Sequence, residues 1–289
     1  MPNRISNIQP HRIDKAGIVT FTDGTNTGLI ANQRVCEAYG YTYDRFSGTC
    51  RLNQQFEATL LQEFNQESNK VMGSNNHIEN GVRNVIIGGK DNNVKSNSKN
   101  SIVSGNTNVV DTDINNATVL GVRGNATRQS EFVIGGGVGQ FAYSDTFLYS
   151  DRQMSIVELS GITSDNTATK LTINGDGTNY INVKNNSILG YEVYITRFEH
   201  GGSSGTAGNF SYRNLKGVVR IDDSYGMTIT TGFTRNIAKL GVNGTTAIVD
   251  SSTTDIKSIT VQCTDRNNVL NSWSAIVYLH EFISTDTKF

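Results

Sequence analysis

The sequence predicts a mainly β protein in which coiled β-repeats are followed by an antiparallel β-sandwich, with one short helix before the repeats. Three observations support this prediction. Similar segments recur every 14–17 residues between 69 and 137, apolar and polar residues alternate from 155 onward, and the composition favours tight turns. The chain has 29 Gly, 12 Phe and 11 Tyr, which supply turn formers and strand formers together.

The charge balance argues against two classes of partner. The 25 Lys and Arg residues nearly cancel the 26 Asp and Glu residues, so no basic surface for nucleic acid or an anionic membrane is expected. No stretch approaches the roughly 20 apolar residues of a membrane span, so membrane insertion is not expected either. Residues 1–12 lack the apolar core of a signal peptide, and we expect synthesis in a cytosol without export by a standard N-terminal signal.

The N-terminal region, residues 1–53, is short and irregular, and its clearest strand signal is IVTFTDG. Cys36 and Cys50 bracket a loop that a disulfide would stabilise by about 3 kcal/mol. A reducing cytosol opposes this bond, whereas later release into an oxidising medium allows it, so both states stay open. Cys263 shares a strand face with apolar neighbours and is expected to be a small buried residue rather than a reactive thiol.

A helix is predicted over 54–68, where four apolar residues share one face at the 3.6-residue period. These residues are Phe56, Leu60, Leu61 and Phe64. A helix of about four turns is marginal alone, so its apolar stripe must pack on something. Either the matching helices of two further subunits or the N-terminal region would serve.

Residues 69–137 contain five related segments, each with a β-branched run, a glycine and Asn or Gly turns. The marker glycines are Gly73, Gly88, Gly105, Gly121 and Gly135. Stacked as turns of a coil, the segments would line one interior. The residues predicted to do so are Val85, Ile87, Ile102, Val119 and Val133.

A coil this narrow encloses a thin core, and four or five turns bury little apolar area. We therefore expect the repeats to be stable only when more surface is hidden, which three copies packed around one axis would achieve. Two monomeric alternatives fit less well. A right-handed β-helix needs turns above about 20 residues, and a hexapeptide-type coil needs a strict multiple of six.

After a predicted linker at 138–154, residues 155–289 show a period of two. In YEVYITRF, residues 191–198, Val193 and Ile195 lie on one face while Glu192 and Thr196 lie on the other. Several such strands separated by Gly/Asn turns predict a C-terminal sandwich of jelly-roll type.

The repeats at 69–137 resemble the left-handed β-roll repeats of trimeric adhesin heads, which also occur in phage fibres. The shared unit is two apolar residues and a Gly, then Asn or Gly, then a small apolar residue. Residues 155–283 resemble a β-sandwich that follows such repeats in phage tail-fibre proteins. The strings SGITSDNTATKLTINGDGTNYINVKNNSILGYEVYITRFE and WSAIVYLHEF carry this second resemblance.

The resemblance implies a homotrimeric fibre or spike on a bacteriophage virion, anchored to other virion proteins by residues 1–53. Host-surface attachment through glycans is the expected role, with Phe210, Tyr212 and Arg213 as candidate contacts. A purely architectural fibre and a capsule-depolymerising spike are the alternatives. The sequence singles out no catalytic, metal-binding or cofactor-binding residues, so neither an enzyme nor a cofactor is expected.

Overall fold

The computed structural model describes the backbone of residues 8–14, 17–52, 69–143, 146–253 and 257–284, and their side chains except at 138–150. The chain divides into two compact units, residues 1–67 and 68–289, which are described separately. Strands dominate both units, so the predicted mainly β class is confirmed. The helix predicted over 54–68 lies outside the described residues.

The N-terminal unit is a small sheet with its own core. Its elements are β1 (Gln9–Ile13), β2 (Ile18–Thr22), β3 (Thr27–Leu29), α1 (Gln33–Ala38), β4 (Thr42–Asp44) and β5 (Thr49–Arg51). Asn32 caps α1, because its side chain accepts a hydrogen bond from the backbone N–H of Val35 at 3.0 Å. Cys36 and Cys50 form a disulfide, with an S–S distance of 2.08 Å, that joins α1 to β5 within this core.

The second unit begins as a β-solenoid of about four turns. Its strands are β6 (Lys70–Val71), β7 (His77–Ile78), β8 (Ile86–Lys90), β9 (Asn93–Val94), β10 (Ile102–Asn106), β11 (Val109–Val110), β12 (Thr118–Val122) and β13 (Asn125–Ala126). Each turn supplies one strand to a parallel sheet containing β6, β8, β10 and β12, and one strand to a second sheet of β7, β9, β11 and β13.

The repeat length is constant where the turns stack. Ile86 pairs with Ile102, which pairs with Thr118, a step of 16 residues each time. The step shortens to 14 where Thr118 pairs with Phe132. Two aliphatic rows face each other in the interior. The first sheet supplies Ile87, Val103, Val119 and Val133, and the second supplies Val94, Val110 and Ala126. The repeat of 14–17 residues therefore does form a coil.

Two residue assignments within the repeats differ from the prediction by one position. Ile102 is 47 % exposed, and Val103 occupies the interior in its place. Gly88 faces outward, and Gly89 is the glycine that pairs with Gly105. Both differences have one cause: in each of the adjacent pairs Ile102–Val103 and Gly88–Gly89, either residue fits the period-two pattern, and only stacking on the next turn decides between them.

Asparagines connect the turns through the interior. The side-chain oxygen of Asn76 accepts the backbone N–H of Asn92 at 3.0 Å, and Asn92 in turn accepts that of Asn108 at 2.9 Å. Asn108 accepts the backbone N–H of Gly124 at 2.8 Å. Each side chain thus satisfies a buried backbone donor of the next turn, which an apolar residue would leave unpaired. The interior asparagines therefore form a ladder between the turns.

Long antiparallel strands continue from the last turn. The elements are β14 (Phe132–Tyr143), β15 (Thr146–Thr163), β16 (Thr169–Lys170), β17 (Thr172–Ile173), β18 (Ile181–Asn182), β19 (Ser187–Gly201), β20 (Phe210–Ile221), β21 (Met227–Leu240), β22 (Thr245–Asp250), β23 (Ser258–Thr264) and β24 (Leu270–Ser284). The predicted linker at 138–154 is instead the end of β14 and the start of β15, which pair antiparallel.

β14 joins the solenoid to the C-terminal region. It pairs parallel with β12 and antiparallel with β15, so one sheet runs in the order β21-β20-β19-β24-β15-β14-β12-β10-β8-β6. A smaller sheet of β16, β18, β22 and β23 shares an apolar core with the long strands. That core includes Cys263, buried and unpaired, and Trp273. No helix among the described residues has the length and hydropathy to cross a membrane.

We predict that Gly89→Ala destabilises the solenoid whereas Gly88→Ala does not. A Cβ at Gly89, whose φ is +103°, would lie 2.0 Å from the carbonyl oxygen of Gly105, whereas one at Gly88 meets nothing within 4 Å. Backbone strain and the clash together cost about 3 kcal/mol. Denaturant unfolding of both variants, followed by circular dichroism at one protein concentration, tests this. Equal stabilities would contradict the stacking of Gly89.

Candidate interaction surface

The large sheet has one face on the core and one face turned outward, and this outer face carries large apolar residues. Side chains alternate along each strand, so cross-strand pairs share a face. Twelve large apolar residues of the outer face are each 39–63 % exposed: Ile86, Ile102, Ile134, Ile162, Ile188, Phe198, Phe210, Val218, Phe233, Leu240, Ile276 and Phe282. Single exposed apolar residues are ordinary, but a shared face of twelve marks an interaction surface.

The solenoid part of this face carries a stripe of aliphatic and aromatic residues. We define the solenoid stripe as Ile86, Ile102, Leu120, Phe132 and Ile134, which lie on β8, β10, β12 and β14. Thr118 of β12 lies in register between Ile102 and Phe132, and Leu120 pairs with Ile134. The outward positions of the second solenoid sheet are different: they hold His77, Asn93, Val109 and Asn125. The outward positions of the first sheet are therefore more apolar than those of the second sheet, which are mainly polar.

Farther from the solenoid, three tyrosines form a cluster on the outer face. The rings of Tyr194 and Tyr212 stack with centroids 5.9 Å apart, and Tyr278 meets Tyr194 edge-on at 6.1 Å. They come from β19, β20 and β24, and all three are partly exposed. We call Tyr194, Tyr212 and Tyr278 the tyrosine cluster. It presents ring surface together with hydroxyl groups, a combination suited to ligands with both apolar and polar groups.

Glu192 organises the polar side of the tyrosine cluster. Its Oε1 accepts hydrogen bonds from the hydroxyl of Tyr194 at 2.5 Å and the amide of Asn214 at 3.3 Å, and pairs with Lys216 Nζ at 2.7 Å. These donors favour the ionised carboxylate: the contacts with Lys216 and Tyr194 hold the pKa of Glu192 below its ordinary value. The same bond to Glu192 raises the pKa of the Tyr194 hydroxyl.

The three predicted contact residues do not share one face. Phe210 and Tyr212 lie on the outer face, whereas Arg213, the next residue of β20, points inward and donates to the Thr246 hydroxyl at 3.3 Å. Burial and the nearby Arg197 lower the pKa of Arg213. Arg213 therefore cannot join Tyr212 in one contact. Sequence reasoning missed Tyr194 and Tyr278, although the alternation in YEVYITRF places Tyr194 on the solvent face.

The edge strand β21 is exposed over most of its length on both faces. Two irregularities in its pairing with β20, between Tyr212 and Arg213 and between Lys216 and Gly217, interrupt the regular ladder. Arg235 and Lys239 add charge to the strand. Bulges and charged residues are the usual means by which an exposed edge avoids pairing with another strand. We therefore assign the interaction surface to the outer face and not to this edge.

A buried ionic network connects the last solenoid turn to the long strands. Arg128, which follows β13, forms ion pairs with Glu131 at 2.5 Å and with Glu281 on β24. Its Nε and Nη2 donate to the carbonyl oxygen of Asn182 at 2.8 and 2.6 Å. Gln153 of β15 donates to Glu281 and accepts the backbone N–H of Asn125 at 2.9 Å. The network covers the end of the solenoid core with satisfied charges.

The charges in this network stabilise one another. Burial opposes ionisation of Glu281, but Arg128 and Lys184 outweigh burial, so the pKa of Glu281 lies below its ordinary value. Burial alone would lower the pKa of Arg128, but Glu281 and Glu131 raise it. For Lys184 burial dominates and lowers the pKa. Removal of one buried partner would leave the remaining charge uncompensated.

A second buried ionic group lies near the C-terminal end of β19 and the N-terminal end of β24. Arg197 pairs with Asp265 and with Glu199, and Nη2 of Arg197 donates to the carbonyl oxygen of Val242 at 2.6 Å. Glu199 also accepts the backbone N–H of Thr206 at 2.6 Å. This group fixes the loops at that end of the sheet. In the described part of the chain, no three His, Cys, Asp or Glu residues are grouped as metal ligands.

The chain was compared with known proteins. No protein-family model and no curated protein matches it. Among solved structures, the tailspike protein of Acinetobacter baumannii bacteriophage Fri1, described as a capsular polysaccharide depolymerase, is similar over 73% of this chain at 11% identity and a TM-score of 0.22. The tailspikes of Acinetobacter baumannii phage AM24 and Acinetobacter phage vB_ApiP_P1 are similar over 76% of it, at 8% identity and TM-scores of 0.24 and 0.22.

This chain spans 37%, 51% and 52% of the lengths of those three structures.

We predict that the stability of the second unit falls as the pH drops below about 4.5 and that Glu281→Gln makes this fall shallower. Because its folded pKa is lowered, Glu281 stabilises the fold above its unfolded pKa, and this contribution is lost as pH falls through the folded pKa. At pH 7, Glu281→Gln should cost about 3 kcal/mol because Arg128 loses a buried partner.

Urea unfolding followed by the fluorescence of Trp273, the single tryptophan, measures both effects. Glu158→Gln removes an exposed carboxylate from the outer side of β15 and should leave the pH 7 stability nearly unchanged. An acid profile of Glu281→Gln that matches the original protein would refute the role of Glu281.

Proposed function

We propose that this protein is a structural subunit of a homotrimeric fibre or spike on a bacteriophage virion, with host-surface attachment as its role. The outer face is the observation that carries the proposal. Twelve exposed apolar side chains on one face are a liability for a lone chain in water, and association with further copies removes it. The solenoid adds a reason, because four narrow turns enclose little apolar area.

The division of the chain supports separate tasks for its two units. The N-terminal unit has its own core, closed by the Cys36–Cys50 disulfide, and the proposal assigns it to contacts with other virion proteins. The second unit is built mainly of long paired strands and a coil, a construction suited to a stiff projecting element.

The tyrosine cluster is the proposed host-contact site, with surface glycans as the ligand class. Sugars present apolar C–H faces and hydroxyl groups, which the partly exposed rings and the polar group around Glu192 complement. Three copies on one spike, and several spikes on one particle, would raise a weak contact to useful avidity through effective concentration.

Two alternatives predict different results. A purely architectural fibre would bind no host surface. A capsule-depolymerising spike would release reducing sugar ends from host polysaccharide, and the proposal assigns this chain no such activity. Incubation of the full chain with host capsular polysaccharide, followed by an assay of reducing ends, separates the enzyme from both binding roles.

We predict that the full chain has a mass in solution of three times the 31.5 kDa of one chain. Multi-angle light scattering after size-exclusion chromatography, repeated over a dilution series, measures this mass directly. A stable single chain at micromolar concentration would refute the homotrimeric proposal.

We predict that Tyr212→Ala weakens retention of the soluble protein on host cells by roughly tenfold or more, because a central aromatic contact is lost and avidity amplifies the loss. Tyr225→Ala is the matched control, since Tyr225 is also exposed but lies in the turn before β21. Labelled protein is applied to host cells, and competition with infection is measured in parallel. Equal retention of both variants would exclude the tyrosine cluster, and no retention of the original protein would favour the architectural fibre.

A further inference from the structure

We infer that the solenoid stripe is the surface through which one copy of this chain contacts a second copy, leaving the tyrosine cluster accessible. This inference rests on the proposed function and specifies which part of the outer face is covered. It divides the face by chemistry: the stripe is aliphatic and aromatic, whereas the tyrosine cluster carries hydroxyls and the Glu192–Lys216 ion pair.

The two sides of the solenoid provide the main observation. Along the first sheet, successive turns place Lys70, Ile86, Ile102, Thr118 and Phe132 in one outward column. Along the second sheet, the corresponding column is His77, Asn93, Val109 and Asn125. The steps from Lys70 to Ile86, Ile102 and Thr118 are each 16 residues, and each turn supplies one strand to each sheet, so the turn geometry does not require this difference. Burial of one side and solvation of the other accounts for it.

The stripe supplies part of the area that a stable contact needs. If each of its five residues contributes on the order of 70 Å², one copy offers roughly 350 Å² of apolar surface there, and neighbouring residues of the same sheet must supply the rest of the roughly 800 Å² that one partner buries in a standard interface. The solenoid stripe continues onto β15, where Met154 pairs with Ile134 and is partly exposed. The contact can therefore extend from the coil onto the long strands.

A second copy fits this surface better than a polar ligand or a different macromolecule. Ile86, Ile102, Leu120, Phe132 and Ile134 carry no charged or hydrogen-bonding side chains, so a polymer rich in polar groups would find few partners there apart from Lys70 and Thr118. Equivalent residues 16 positions apart place side chains at even intervals along the column. The same column on another copy has the same intervals, so the two sets of side chains can interlock.

The first test uses lysine, which the column already contains at Lys70 and which the strand geometry therefore accepts. Ile86→Lys together with Ile102→Lys should shift the assembly from its normal mass to single chains, with an unchanged circular dichroism spectrum. Val109→Lys is the matched control, because Val109 is outward in the same solenoid turn but on the second sheet. Its mass should stay that of the original protein.

The second test needs no destabilising substitution. Cys36 and Cys50 are bonded to each other and Cys263 is buried, so an introduced cysteine at a surface position is the accessible thiol of the described residues. In the assembled protein, Thr118→Cys should react with a maleimide at least tenfold more slowly than Val109→Cys. Denaturation should make the two rates equal.

The outcomes separate this inference from the proposed function. An original protein of single-chain mass would overturn both. An assembly that persists in the double lysine variant, or equal alkylation of Thr118→Cys and Val109→Cys in the native assembly, would overturn the stripe while leaving the homotrimer standing. If the lysine variant does not fold, the alkylation rates alone decide.

Discussion

The in-register stacking of solenoid turns is the constraint on which the rest of the second unit depends. Each turn donates backbone hydrogen bonds to the next, as in the bonds from Ile86 to Ser101 and from Ile102 to Ala117 at 3.0 and 2.9 Å. This spacing brings the backbone so close at Gly89 and Gly105 that a side chain would not fit. It also aligns the interior asparagines, which satisfy donors that the narrow core would otherwise bury unpaired.

The same constraint produces the chemistry of the surface. Equivalent residues of successive turns lie in register. A residue type that recurs at one position of the repeat therefore forms a column along the coil. The interior columns are aliphatic, and the outward column on one sheet is largely aliphatic as well. The buried Arg128–Glu281 pair lies where the coil ends and covers its core with satisfied charges. The core and the surface of the coil are therefore consequences of one period.

The repeat, the strand-rich C-terminal region and the class of the fold could be predicted from the sequence because each depends on local pattern. Which residue of an adjacent pair faces the interior could not always be predicted, since either member of Ile102–Val103 and of Gly88–Gly89 fits the pattern and only the stacking of the turns decides. Partners distant in the chain were also beyond reach. Arg128 and Glu281 are 153 positions apart, and the tyrosine cluster needs the registers of three strands. The grouping of Arg213 with Tyr212 as contact residues was wrong, because adjacent residues of a strand point to opposite faces of the sheet.

Strand β14 has a further consequence for how the molecule is made. It is the last parallel strand of the coil and the first antiparallel strand of the long sheet. Its pairing with β15 can therefore form before any turn of the coil stacks on it. A coil in which each turn contacts only its neighbours grows by addition to an existing end. The hairpin of β14 and β15 supplies such an end, so we expect folding to nucleate in the C-terminal region and to proceed, turn by turn, toward β6, opposite to the direction of synthesis.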